Sequence, residues 1–86
     1  MQYNLGPGAP DRLLGVLATA IEKYDEAEKQ FEDARLLCES AGSQPWLALT
    51  LRDQAIMYLR RDRSGDRGKA LELILEAAEI CTRYDM

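Results

Sequence analysis

A chain of 86 residues, 47% hydrophobic and 30% charged, allows one small domain with a limited core and lies far from the composition of a disordered chain. Its net charge of -4 is uneven: 4 basic and 8 acidic residues up to Pro45, then 7 of each from Trp46 onward. An acidic half cannot gather phosphates, no run approaches transmembrane length, and Met1 to Pro10 lacks the basic and apolar regions of a signal peptide, so a cytoplasmic protein without membrane contact is expected.

Met1 to Pro10 carries Gly6, Pro7, Gly8 and Pro10, which favour an irregular lead-in. From Asp11 to about Lys23, Leu13, Leu14, Leu17, Ala18 and Ile21 recur at helical spacing and predict a short amphipathic helix, with Gly15 marking a close helix contact. A second helix is expected from Tyr24 to Ser40, its inner stripe formed by Tyr24, Ala27, Phe31, Ala34 and Cys38. Asp25 and Glu26 suit the positive end of its dipole. Gly42 is placed to cap it, and Pro45 suits the first turn of a third helix ending near Arg61, with Leu47, Leu51, Ala55 and Tyr58 inward and Trp46 over an edge. The polar stretch Arg61 to Gly68 leads into a fourth helix from about Asp66 to Tyr84.

Two of these helices repeat one pattern. Ala27, Phe31, Ala34, Leu37 and Cys38 share their spacing with Ala70, Ile74, Ala77, Ile80 and Cys81. A repeated unit of small residues around a large knob is built for close helix packing, and such units stack because neither buries its apolar face alone. The expected architecture is all-α: two antiparallel hairpins, 11–41 and 45–84, in a single domain at 11–84 after the lead-in at 1–10.

These residues resemble the tetratricopeptide (TPR) repeat. Leu14 and Gly15 match its Leu-Gly pair, Tyr24 its aromatic position, and Ala27, Phe31 and Ala34 the pattern of its second helix; Ala55, Tyr58, Ala70, Ile74 and Ala77 match more loosely. The offsets, 40 between Gly15 and Ala55 and 43 between Ala27 and Ala70, exceed the standard period of about 34. From Leu13 to about Tyr84 the phrasing is similar to the C-terminal TPR regions of large bacterial signalling proteins, in which a class III cyclase or a winged or LuxR-type DNA-binding domain is joined to an AAA-like NTPase. That resemblance implies a right-handed solenoid fragment and a role in protein or peptide binding within a regulator. It also implies a ligand surface along the first helices of the hairpins: Arg12, Leu13, Val16, Thr19 and Ala20, with Arg52, Asp53, Ile56, Leu59 and Arg60. The carboxylate clamp of the chaperone-adaptor members is not carried over, because Val16 and Asp53 stand where it uses Asn.

Chemistry is not expected. Histidine is absent, Ser40, Ser43 and Ser64 have no paired base, and no phosphate-binding glycine motif occurs. The two cysteines lack zinc spacing and read as buried, reduced thiols. No cofactor is expected. The carboxylates Asp25, Glu26, Glu28, Glu32 and Asp33 read as a solvated face balanced by Lys29 and Arg35. Arg60, Arg61, Arg63, Arg67 and Lys69 read as a solvated loop compensated by Asp62 and Asp66.

The fourth helix carries more apolar surface than one packing side needs. Ala70, Leu73, Ile74, Ala77, Ile80, Cys81 and Tyr84 are expected toward the core, while Leu71, Leu75 and Ala78 form a second stripe, an arc of about 220° in all. A homodimer through this helix, across a two-fold axis or by exchange of a hairpin, is the expectation. Its alternative has Tyr3 and Leu5 fold back over the stripe. Two other functions compete with self-association: a stand-alone peptide receptor using the first-helix surface, and a nucleic-acid-binding domain using Arg60 to Lys69. Salt dependence separates the last from the others.

Overall fold

The computed structural model describes residues 6–84, which form α1 (Ala9–Ala20), α2 (Tyr24–Ala41), α3 (Gln44–Arg61) and α4 (Asp66–Arg83). The protein is all-α, and no strand occurs among the described residues. Each helix packs on the next in sequence across a short turn, so consecutive helices run antiparallel. α3 also touches α1, whereas among the described residues α4 has α3 as its one close helix neighbour.

Local chemistry sets the ends. Gly8 takes φ 71° ahead of α1, and Pro10 occupies the first turn, where its missing N–H costs nothing. A Cβ at Gly8 would lie 2.8 Å from the Ala34 carbonyl oxygen, so glycine also permits the lead-in to touch α2. α1 therefore begins at Ala9, ahead of the expected Asp11, and it stops at Ala20 instead of Lys23. The early stop follows from the tight reversal into α2: Glu22 turns left-handed at φ 63°, and the N–H of Lys23 bonds back to the Ala18 carbonyl at 2.8 Å. Gly42 makes the same reversal after α2 at φ 67°, with Ser43 N–H donating to the Cys38 carbonyl at 3.0 Å.

The core runs through all four helices. Phe31, Leu51 and Met57 are its largest fully buried apolar members, joined by Ala18, Ala27, Leu47, Ala55, Tyr58, Ala70, Leu73 and Ile80. The inner stripe expected of α3 is buried throughout, and Trp46 packs half-buried against it. Gly15 lies beneath the Phe31 ring, where an added Cβ would come 2.8 Å from Cε1. The close contact expected at this glycine is thus an aromatic knob on bare backbone.

Three expectations about packing are corrected. α1 meets the core through its small face, Gly15, Ala18 and Thr19, while Leu13, Leu14, Leu17 and Ile21 are exposed. The Phe31 ring fills the space beside Gly15, and a helix lying on that ring has no room for leucines on the same side. In α4, Ile74 is 43% exposed and Tyr84 is also exposed, although the repeat pairs Ile74 with Phe31, which is 0% exposed. α2 is enclosed between α1 and α3, whereas among the described residues α4 is covered on one side only. Leu37 is exposed while its equivalent Ile80 is buried: α3 starts at Gln44, about a turn earlier than α1 in the repeat frame, and its Leu47 joins Ile80 in the core.

Candidate association surface

The charged clusters serve the fold. Arg61 at the end of α3 donates to both carboxylate oxygens of Asp66, Nε and Nη2 each at 2.8 Å, and Asp66 also accepts the Arg63 backbone N–H at 2.9 Å. Both side chains are buried. The guanidinium holds the Asp66 carboxyl well below the usual carboxylate range, and the carboxylate raises Arg61 further above its already high value. Arg61 also lies 3.5 Å from Glu28 and 3.7 Å from Asp25, which Arg63 meets at 3.2 Å. The expectation of a solvated basic loop is therefore corrected at Arg61 and Asp66, which form an internal pin between α3, α4 and α2. A short, self-closing turn needs its charges matched inside it, and this bidentate pair does so.

The acidic face of α2 is likewise used internally. Tyr58 donates to Glu28 at 2.6 Å, and the Gln54 amide donates to Glu32 at 2.7 Å. Burial and the neighbouring Glu28 push the Tyr58 hydroxyl well above its ordinary value. Arg35 approaches Glu32 and Glu39 along its own helix. Glu28 and Glu32 are thus ties between α2 and α3 that periodicity alone does not reveal.

The first-helix surface is brought together in part. Val16, Thr19, Ala20, Asp53, Ile56 and Arg60 line a shallow depression of about 150 Å³ floored by Phe31. Thr19 is buried and donates to the Gly15 carbonyl at 2.8 Å, and Asp53 is held by Arg12 at 3.0 Å and Arg52 at 3.1 Å. Leu13 and Leu59 are exposed outside the depression, and Arg52 reaches a different face. A cavity this small, with Thr19 and Asp53 already engaged, offers little to a peptide.

A larger surface lies on the open side of the second hairpin. Pro45, Ala48, Leu49 and Arg52 from α3 and Ile74, Ala77, Ala78 and Cys81 from α4 line a groove of about 500 Å³. Leu71 and Leu75, 57% and 60% exposed, extend its α4 wall at i, i+4 spacing. The stripe expected from Leu71, Leu75 and Ala78 is thus exposed and merges with the groove through Ile74. The cysteines differ accordingly. Cys38 is buried, its thiol 3.3 Å from the Pro7 carbonyl, but Cys81 sits half-buried in the groove wall, which corrects the expectation that both are enclosed. The fold-back of Tyr3 and Leu5 lies outside the described residues.

Among the described residues no group of His, Cys, Asp or Glu side chains is arranged to hold a metal ion, and no helix is long and apolar enough to cross a membrane. No family model matches the chain, and neither the curated proteins nor the solved structures provide a match.

Proposed function

We propose that this protein is a noncatalytic helical-repeat module, tetratricopeptide-like in its stacking, that associates with a second copy of itself through the open face of α3 and α4. The observation that carries the reading is the continuous apolar surface from Pro45, Ala48 and Leu49 across Ile74, Ala77 and Ala78 to Leu71 and Leu75. Exposed apolar residues in isolation need no explanation, but a groove walled by two helices and extended by a leucine stripe does. The module serves a larger cytoplasmic regulator of the bacterial signalling or transcriptional kind, where association of the repeats would bring the parent's other domains together.

Light scattering on the wild type and on Leu71→Glu/Leu75→Glu tests the reading. The wild type should gain mass with concentration, and the double variant should remain near the 9.7 kDa of one chain. A wild type that stays monomeric at high micromolar concentration refutes association through any face.

A further inference from the structure

The repeat supplies its own template for what fills the groove. In the frame that pairs α1 with α3 (offset 40) and α2 with α4 (offset 43), six of the eight groove residues, Ala48, Leu49, Arg52, Ile74, Ala77 and Cys81, correspond to Gly8, Ala9, Arg12, Phe31, Ala34 and Cys38. That first-hairpin surface is closed. Ala9, Phe31, Ala34 and Cys38 are buried, and Arg12 is bonded to Asp53 of α3 at 3.0 Å. α3 is the helix lying on it: Thr50 meets the Cys38 thiol at 3.8 Å, Gln54 reaches Glu32, and Met57 is fully buried.

The helix that holds α3's place in the other hairpin is α1. Its residues at the positions of Thr50, Gln54, Met57 and Arg61 are Pro10, Leu14, Leu17 and Ile21, all exposed. One end of the module therefore shows an open helix-receiving groove, and the other shows an apolar helix ridge in the register that such a groove receives.

We infer that a second copy docks head to tail, the Leu14, Leu17 and Ile21 ridge of its α1 seating in the α3/α4 groove as α3 seats on the first hairpin. This rests on the association proposed above and adds its geometry. Ridge and groove are different patches, so the contact is heterologous and leaves a free groove and a free ridge at the ends of every open assembly; growth continues past the dimer until a ring closes. Arg52 keeps Asp53 as its partner across the rim, because α1 has Leu13 where α3 has Asp53. The docked pair is accordingly more apolar than the internal contact it copies, and its strength should hold or rise with salt.

Two singly blocked proteins decide the matter. The ridge variant is Leu14→Glu/Leu17→Glu, with Leu14→Gln/Leu17→Gln as an uncharged counterpart; the groove variant is Ile74→Glu/Ala78→Glu. All these positions are exposed, and circular dichroism melts establish that each variant folds. By light scattering the wild type should grow from one protomer to several as concentration rises, and each variant alone should stay monomeric. An equimolar mixture of ridge and groove variants should form a dimer and stop at twice the 9.7 kDa protomer, since the one intact ridge and the one intact groove are then used up. A ridge variant that associates as well as the wild type, with the groove variant left monomeric in the mixture, overturns the head-to-tail arrangement while leaving association through α4 standing. A wild type monomeric throughout overturns both.

Discussion

Phe31 and Ile74 occupy the same position of the repeated pattern, and the structure gives them different surroundings. Phe31 is fully enclosed against Gly15, whereas Ile74 is 43% exposed in the groove. Phe31→Ala should cost about 3 to 5 kcal/mol, the usual loss for removing a buried ring and leaving a cavity. Ile74→Ala removes three carbons worth roughly 0.8 kcal/mol each if fully buried; little over half of that burial exists, and no cavity forms in an open groove. With the better helix propensity of Ala, about 0.4 kcal/mol, the net loss should be about 1 kcal/mol. A domain this size has a total stability of roughly 4 to 13 kcal/mol, so the first change threatens folding and the second does not. Urea unfolding followed by circular dichroism at low micromolar concentration measures both. Equal losses would refute the asymmetric environment and restore the symmetric repeat. If a second copy covers Ile74, the Ile74→Ala loss should also grow as protein concentration is raised.

Gly15→Ala should destabilise the fold by about 1 kcal/mol, because displacing the Phe31 ring outweighs the propensity gain, whereas Gly68→Ala, with open space around it in α4, should stabilise by about 0.5 to 1 kcal/mol; thermal melts compare the two. Asp66→Asn should lower the melting temperature at pH 7. The Asp66 carboxyl is depressed in the fold, so its contribution is complete above the unfolded value of about 4 and is lost as pH falls through that value toward the lower folded one. The gap between wild type and variant should hold from pH 7 to about 5 and close below about 4; a gap closing already between pH 7 and 6 would refute the pin. Native alkylation followed by mass spectrometry should label Cys81 well before Cys38, and equal slow labelling would show that Cys81 is covered.

Helical periodicity, the capping glycine at Gly42, the Pro45 start and the short connections by themselves settle the class and very nearly the bounds of α2, α3 and α4, since each depends on residues a few positions apart. The shared spacing of α2 and α4 likewise marked both as packing helices. Burial was another matter, because it depends on how many neighbours a helix acquires. α2 has a partner on either side and encloses Phe31; α4 has one and leaves Ile74 in the groove. In α1 the leucines promised an inward stripe, yet the ring of Phe31 selected the small face at Gly15, Ala18 and Thr19 and turned Leu14, Leu17 and Ile21 outward. Arg61, Asp66 and Glu28 read as ordinary surface groups and Tyr58 as plain core until the reversals after α2 and α3 brought them within bonding distance of one another. Local signals fixed where the helices lie along the chain; only tertiary packing decided which of their faces remained open.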